Sequence, residues 1–234
     1  MREWPWTVTL LALSVLTAAG CGGADPSGAD GGPPPAPPAA IEDSRPDAPG
    51  IVLLGDSLTA GLGLAPEDAY PALLQKRLSA AGYPHRIVNA GVSGDTSAGG
   101  LRRLEWSIDD RTEVLVIALG GNDGLRGLPL EQLRANLAAI IDRAQQRNVR
   151  VILAGMEAPP NFGAEYTTGF RRVYADLARE YDVPLIPFLL DGVGGVPALN
   201  QPDGIHPNAE GAAVLAETVW QALAPLLARA AGTP

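Results

Sequence analysis

Five short apolar runs punctuate the chain: Ile51 to Leu54, Arg86 to Ala90, Val114 to Leu119, Arg150 to Ala154 and Pro184 to Pro187. Inside each run the apolar residues follow one another instead of alternating with polar ones. A strand with one wet face alternates, whereas a strand covered on both faces, as in a parallel sheet, does not. The runs therefore predict five buried parallel strands. Between them the period changes. Leu130, Leu133, Leu137, Ile140, Ile141 and Ala144 recur at intervals of three and four, one stripe of a helix with Pro129 at its start. Similar stripes run through Tyr70 to Leu78 and Tyr166 to Tyr181. A last helix follows Pro207 and continues through Val214, Leu215, Val219 and Leu223, with Pro225 expected to kink or end it.

Strand, helix and strand repeated with short joins specify the α/β class, as a three-layer α/β/α sandwich around a five-stranded parallel sheet. Sheets of this kind bind ligands outside the carboxyl ends of their strands. The residues that follow each run are thus the ones in which to look for chemistry.

The first fifty residues have another character. Arg2 precedes an apolar run from Trp6 to Ala19, too short for a comfortable membrane span and suited to an export signal over residues 1–20. The run ends in "LTAAGCGG", which resembles the lipobox of bacterial lipoproteins, whose cysteine becomes lipid-modified and N-terminal. Ala18 stands where that motif usually has Leu, and the same small residues also suit ordinary signal cleavage. Cys21 is the candidate lipid attachment site and the sole cysteine, so no intramolecular disulfide is available. Residues 21–49, including "GGPPPAPPAA", hold one large aliphatic side chain, Ile41, and cannot offset the entropy of folding. They are expected to be a tether. The folded domain is expected over residues 50–230, a comfortable size for one core.

The formal net charge is −9, and removing residues 1–20 takes one Arg and one Glu, which leaves it unchanged. An acidic surface repels phosphate backbones, and no cluster of Lys and Arg with interleaved aromatics offsets it. Nucleic acid is excluded as a partner. The expected partners are a small-molecule or lipid ester and the membrane that would hold the Cys21 lipid, with the chain itself a monomer.

The first strand runs into Gly55-Asp56-Ser57. Asp and Ser after a strand serve as turn residues and helix caps as readily as catalysts. A nucleotide loop is poorly supported, since neither G-x-G-x-x-G nor Gly-Lys-Ser/Thr is present. After the second strand, Ser93-Gly94-Asp95 forms a tight loop before a helix, where a backbone N–H can receive a negative oxygen. The third strand leads into "GGNDG", in which the Asn122 amide is a neutral donor suited to an oxyanion. Only two histidines exist. His85 lies at the start of the second strand, the wrong edge of the sheet, and reads as a surface or turn residue. His206, in "PDGIHPNAEG", follows the fifth strand, and Gly204 allows the chain to fold back so that Asp203 reaches one ring nitrogen while the other faces Ser57. Separate strand ends thus offer a hydroxyl, donors and an Asp/His pair, the parts that acyl transfer requires.

With "GDSL", "SGDTS", "GGNDG" and "DGIHP" all present, the chain resembles the SGNH, or GDSL-type, esterase and lipase family from about Ile51 to Leu227. The likeness is greatest to its bacterial arylesterase, thioesterase and lysophospholipase branch. The resemblance implies a flavodoxin-like fold, Ser57 as nucleophile, His206 as general base and Asp203 as its orienting partner. It also implies an oxyanion hole of the Ser57 N–H, the Gly94 N–H and the Asn122 amide, with no metal or organic cofactor. Leu58, Leu125, Ile205 and the Met156 to Tyr166 segment are expected to flank the substrate, Ala158 standing where the branch usually has a larger apolar residue. Two other functions fit the same pattern: removal of acetyl groups from polysaccharide, and a non-catalytic, surface-anchored binding module on this fold.

Overall fold

A computed structural model describes residues 47–230. The expected export signal, Cys21 and all but the last three residues of the expected tether lie outside the described residues. Five strands form one parallel sheet: β1 (Gly50–Gly55), β2 (Arg86–Gly91), β3 (Thr112–Ala118), β4 (Arg150–Ala154) and β5 (Leu185–Ile186). Their order is β2-β1-β3-β4-β5. All six residues of β1 are buried, as its unbroken apolar run requires. β5 is shorter than its run because Pro187 has no N–H with which to extend the ladder.

Among the described residues seven α-helices connect and cover the strands: α1 (Ser57–Ala60), α2 (Tyr70–Ala80), α3 (Ser97–Ser107), α4 (Gly121–Leu125), α5 (Leu130–Gln146), α6 (Ala164–Glu180) and α7 (Ala209–Ala230). α3, α5 and α6 are successive neighbours, and α2 pairs with α7. Those two groups are the outer layers of an α/β/α sandwich. The α5 stripe is buried at Leu133, Leu137, Ile140, Ile141 and Ala144, while Leu130 is half-buried at the end of the helix.

α7 differs from expectation, since the helix runs on through Pro225 to Ala230. Pro225 and Gln221 are both on the exposed side. The carbonyl that loses its partner to proline therefore meets water, which lowers the cost of an internal proline. α7 is also long and apolar enough to cross a membrane. Its apolar positions nevertheless form one stripe, with Ala212, Leu215, Val219, Leu223 and Leu227 all buried in the core.

The chain leaves β1 to form β2 on one side and returns to form β3 on the other. The sheet's topological switch point therefore lies at the carboxyl ends of β1 and β3. Ser57 follows one and Asn122 the other.

Candidate active site

The turn after β1 is built for close approach. Asp56 caps α1, its Oδ1 accepting the Leu58 N–H at 3.0 Å, and Ser57 is the first helical residue. α1 lies so near the end of β2 that a Cβ on Gly91 would stand 2.2 Å from the Ala60 nitrogen. Only glycine leaves that space. Thr59 and Tyr70 exchange a buried hydrogen bond of 2.8 Å beneath the helix.

His206 Nε2 lies 2.9 Å from Ser57 Oγ, and its Nδ1 lies 2.7 Å from Asp203 Oδ2. The tautomer follows from chemistry. An ionised carboxylate can only accept, so Nδ1 carries the proton and the bare Nε2 accepts from the serine hydroxyl. The Asp-x-x-His spacing also has a local reason. Gly204 adopts φ +76°, and Asp203 Oδ1 accepts the N–H groups of both Ile205 and His206 at 3.0 Å. One carboxylate thereby folds the turn with one oxygen and orients the ring with the other. The His206 N–H, then its ring, then the Ile205 N–H hold the Asp203 carboxyl down at about 2. It is an anion at any pH where the enzyme would work.

Three donors stand around Ser57: its own N–H, the Gly94 N–H and the Asn122 amide. Among the described residues, neither the Ser57 nor the Gly94 N–H has a hydrogen-bond acceptor. Gly94 adopts φ +83°, a conformation that favours glycine, and Arg126 donates to its carbonyl at 3.0 Å. The Asn122 amide nitrogen donates to the Asp95 carbonyl at 2.9 Å and, more weakly, to Asp56 Oδ2 at 3.3 Å. Burial pushes the Asp56 carboxyl up to about 6, against the pull of the Leu58 N–H, His206 and the Asn122 amide.

Ser57, Asn122 and His206 open on a cleft of about 380 Å³, whose apolar lining includes Leu58, Leu62, Leu125, Met156, Leu190 and Ile205. Leu62, Leu125 and Ile205 are each about half exposed.

A sequence profile of the GDSL-like Lipase/Acylhydrolase family matches residues 53–214. The chain belongs to this family. It is an ester hydrolase of the SGNH type, and it shares 47% identity over 178 residues with Esterase TesA of Pseudomonas aeruginosa, spanning 76% of this chain and 89% of the relative. It is 37% identical to the Thioesterase 1/protease 1/lysophospholipase L1 of Escherichia coli K12, over 76% of this chain and 84% of that protein. The crystal structure of the psychrotrophic esterase EstA from Pseudoalteromonas sp., inhibited by monoethylphosphonate, superposes with a TM-score of 0.73 at 31% identity, covering 76% and 98% of the two chains.

Several parts of this family site were not legible as functional groups. Arg103 is buried, and its guanidinium donates to Asp95 Oδ2 at 2.6 Å and to the Gly55 carbonyl at 2.8 Å. It clamps the end of β1 to the loop that holds Gly94. Asp123, beside Asn122, is buried and accepts from the Ser97 N–H at 2.8 Å and the Ser97 hydroxyl at 2.5 Å. That pair fastens α4 to the start of α3. Asn136 donates to the same hydroxyl at 3.0 Å, which completes the network.

Two placements depart from the sequence reading. Ala158 is buried within the core, its Cα facing Gly124, and it does not line the cleft; Met156, Glu157 and Pro159 do. The backbone of Ala158 packs close to α4, where a Cβ on Gly124 would stand 3.3 Å from the Ala158 Cα. His85 does stand at the start of β2, away from Ser57, yet it is buried instead of lying on the surface. Tyr83 covers it at 6.2 Å edge-on, its Nε2 meets Glu113 at 3.2 Å, and its Nδ1 has no hydrogen-bond partner among the described residues.

Proposed function

We propose that the chain cleaves carboxylic esters through an acyl-enzyme on Ser57, with His206 as general base and Asp203 orienting it. The observation that carries this reading is the continuous Ser57–His206–Asp203 chain of hydrogen bonds at 2.9 and 2.7 Å, opening on an apolar cleft. Ser57 Oγ attacks the ester carbonyl as its proton passes to His206 Nε2. The C–O bond to the alcohol then breaks, and the same proton goes to the departing oxygen. Water, activated in turn by His206, releases the acid and restores the serine.

The tetrahedral intermediate carries a negative oxygen, and the Ser57 and Gly94 N–H groups are free to receive it. Asn122 supplies the third donor by turning toward the oxyanion the hydrogen now aimed at Asp56. That contact is the longer of its two, so it is the one to yield. Asn122→Ala should lower kcat by about 10² to 10³ with little change in KM, because the donor acts on charge that exists only near the transition state.

The acyl chain lies along the apolar wall of Leu58, Leu125, Met156 and Pro159. Each buried methylene is worth about 0.8 kcal/mol, roughly fourfold in kcat/KM, until the chain outgrows the wall. The substrates are short to medium acyl esters, and the names of the relatives put aryl esters, thioesters and lysophospholipids among the candidates. A series of p-nitrophenyl esters tests this. The expected kcat/KM peaks at about four to eight acyl carbons by the same transfer argument. Rates that rise through the palmitoyl ester, or activity confined to the acetyl ester, would contradict it.

Export and anchorage form the remaining part of the proposal. The basic, apolar and small-residue sequence ending at Cys21 supports delivery to the cell envelope and lipidation there.

A further inference from the structure

A second cavity, also of about 380 Å³, lies beside the first and shares with it the wall residues Gly195, Asn200 and Gly204. It is walled by the stretch of chain that leads directly into His206. That position has a chemical meaning, which rests on the acyl-enzyme reading above. The departing oxygen must take its proton from His206 Nε2, so the alcohol half of the ester has to lie on the His206 side of Ser57. The oxyanion lies opposite, toward Gly94 and Asn122.

We propose that this second cavity is the subsite for the alcohol half of the ester, and that it takes a neutral, hydroxyl-bearing alcohol such as a glyceryl group. Two features select that chemistry. First, Asn200 spends both amide hydrogens inside the protein, donating to the Val193 carbonyl at 2.7 Å and the Val196 carbonyl at 2.8 Å. Those two acceptors fix which end of the amide is nitrogen. Among the described residues its Oδ1 has no hydrogen-bond partner and is not sealed from solvent, so this side chain offers an open acceptor, with no hydrogen left to donate, at the wall between the cavities. An open acceptor receives the hydrogen of a hydroxyl. Second, none of the described residues lining the second cavity carries a charge: Val196, Pro197 and Pro202 give it apolar sides, and Gln201 is neutral. A phosphate on the alcohol would find no cation there, whereas the carbons of a polyol would find apolar contact.

The loop is also held in place. Gln201 Nε2 donates to the Leu62 carbonyl at 2.7 Å and the Pro207 carbonyl at 2.9 Å, tying the cavity wall to the segment after α1 and to the residue after His206. A rigid wall beside the general base keeps the alcohol oxygen in line with the proton it must receive.

The test uses three butyrate esters, methyl, propyl and glyceryl, which share an acyl group and differ only in the alcohol. With the wild-type protein, kcat/KM should rise from methyl to propyl to glyceryl, the glyceryl ester exceeding the methyl ester by about tenfold. Asn200→Leu should erase the advantage of glyceryl over propyl. Because Asn200 also caps two carbonyls, Val196→Trp provides an independent variant that fills the cavity from an exposed rim position. It should bring the glyceryl-to-methyl ratio down to about twofold or less. Equal rates on all three esters, a propyl ester that matches the glyceryl ester, or a Val196→Trp variant that lowers all three by one common factor would overturn the proposal. Failure of the acyl-enzyme reading looks different: the wild-type protein would cleave none of the three, or Ser57→Ala would still cleave methyl butyrate.

Discussion

Asp56 sits next to Ser57, the proposed nucleophile, buried, with one oxygen capping α1 and the other facing the Asn122 amide. The fold raises its pKa from the ordinary 3.8 to about 6, with burial as the main cause. The folded protein therefore binds this proton more tightly than the unfolded chain does. The stability it confers is complete below the unfolded value of 3.8 and is lost as pH rises through about 6. A shift of that size corresponds to about 3 kcal/mol. Urea unfolding of the wild type and of Asp56→Asn at pH 4, 5, 6 and 7 should show the wild type losing about that much relative to the variant, with the change finished near pH 7. A difference that stays constant across the range would contradict the assignment. Asp56→Asn should also lower kcat, since an amide that accepts the Leu58 N–H with its oxygen sets donor against donor at Asn122 and pushes that amide out of position. The motif residues after the strands stood out in the sequence only together, because separate strand ends offered a hydroxyl, donors and an Asp/His pair at once. The work of Asp56 was not, since a buried carboxyl and a surface cap are the same letter in a sequence.

Arg103 shows the same limit between elements. In sequence it is one basic residue on a helix; in the fold it joins α3 to the Gly55 carbonyl at the end of β1 and to Asp95. Its partner Gly55 lies 48 residues away, a distance no local pattern spans. Breaking a largely buried ion pair by removing one partner typically costs about 3 kcal/mol or more. Arg103→Met should lower the unfolding free energy by that order and reduce kcat as the loop holding Gly94 loosens. A loss under about 1 kcal/mol, the range of exposed pairs, would show the clamp to be incidental. The elements themselves were largely written in the pattern. All five apolar runs became strands, because burial on both faces demands continuous apolar sequence. The misplacements share a cause, in that each depends on what lies opposite. Pro225 is tolerated within α7 because its side faces water, and Ala158 is buried because its backbone packs against Gly124 of α4.

On the scale of the molecule, a sheet ordered β2-β1-β3-β4-β5 brings the ends of β1, β2 and β3 to one mouth, and the loop after β5 delivers the Asp/His pair. Every residue of the proposed site lies between Asp56 and His206, so residues 1–49 contribute no catalytic group. If Cys21 carries the lipid anchor, Cys21→Ser should move the protein from the membrane fraction to the soluble fraction with its specific activity on butyrate esters retained. A wild-type protein that is already soluble, with an unmodified mature N-terminus, would contradict the anchor without touching the site.

Ser57 is the proposed nucleophile that this arrangement activates, and every other proposed role depends on it. A phosphonate ester, the inhibitor class seen in the Pseudoalteromonas esterase structure, reports on it directly by bonding covalently to an activated serine. Intact-mass analysis after phosphonate treatment should show one adduct on the wild type, mapped to Ser57, with loss of esterase activity in step. The Ser57→Ala variant should show neither adduct nor turnover. An adduct on Ser57→Ala, or turnover that survives the substitution, would contradict the assignment.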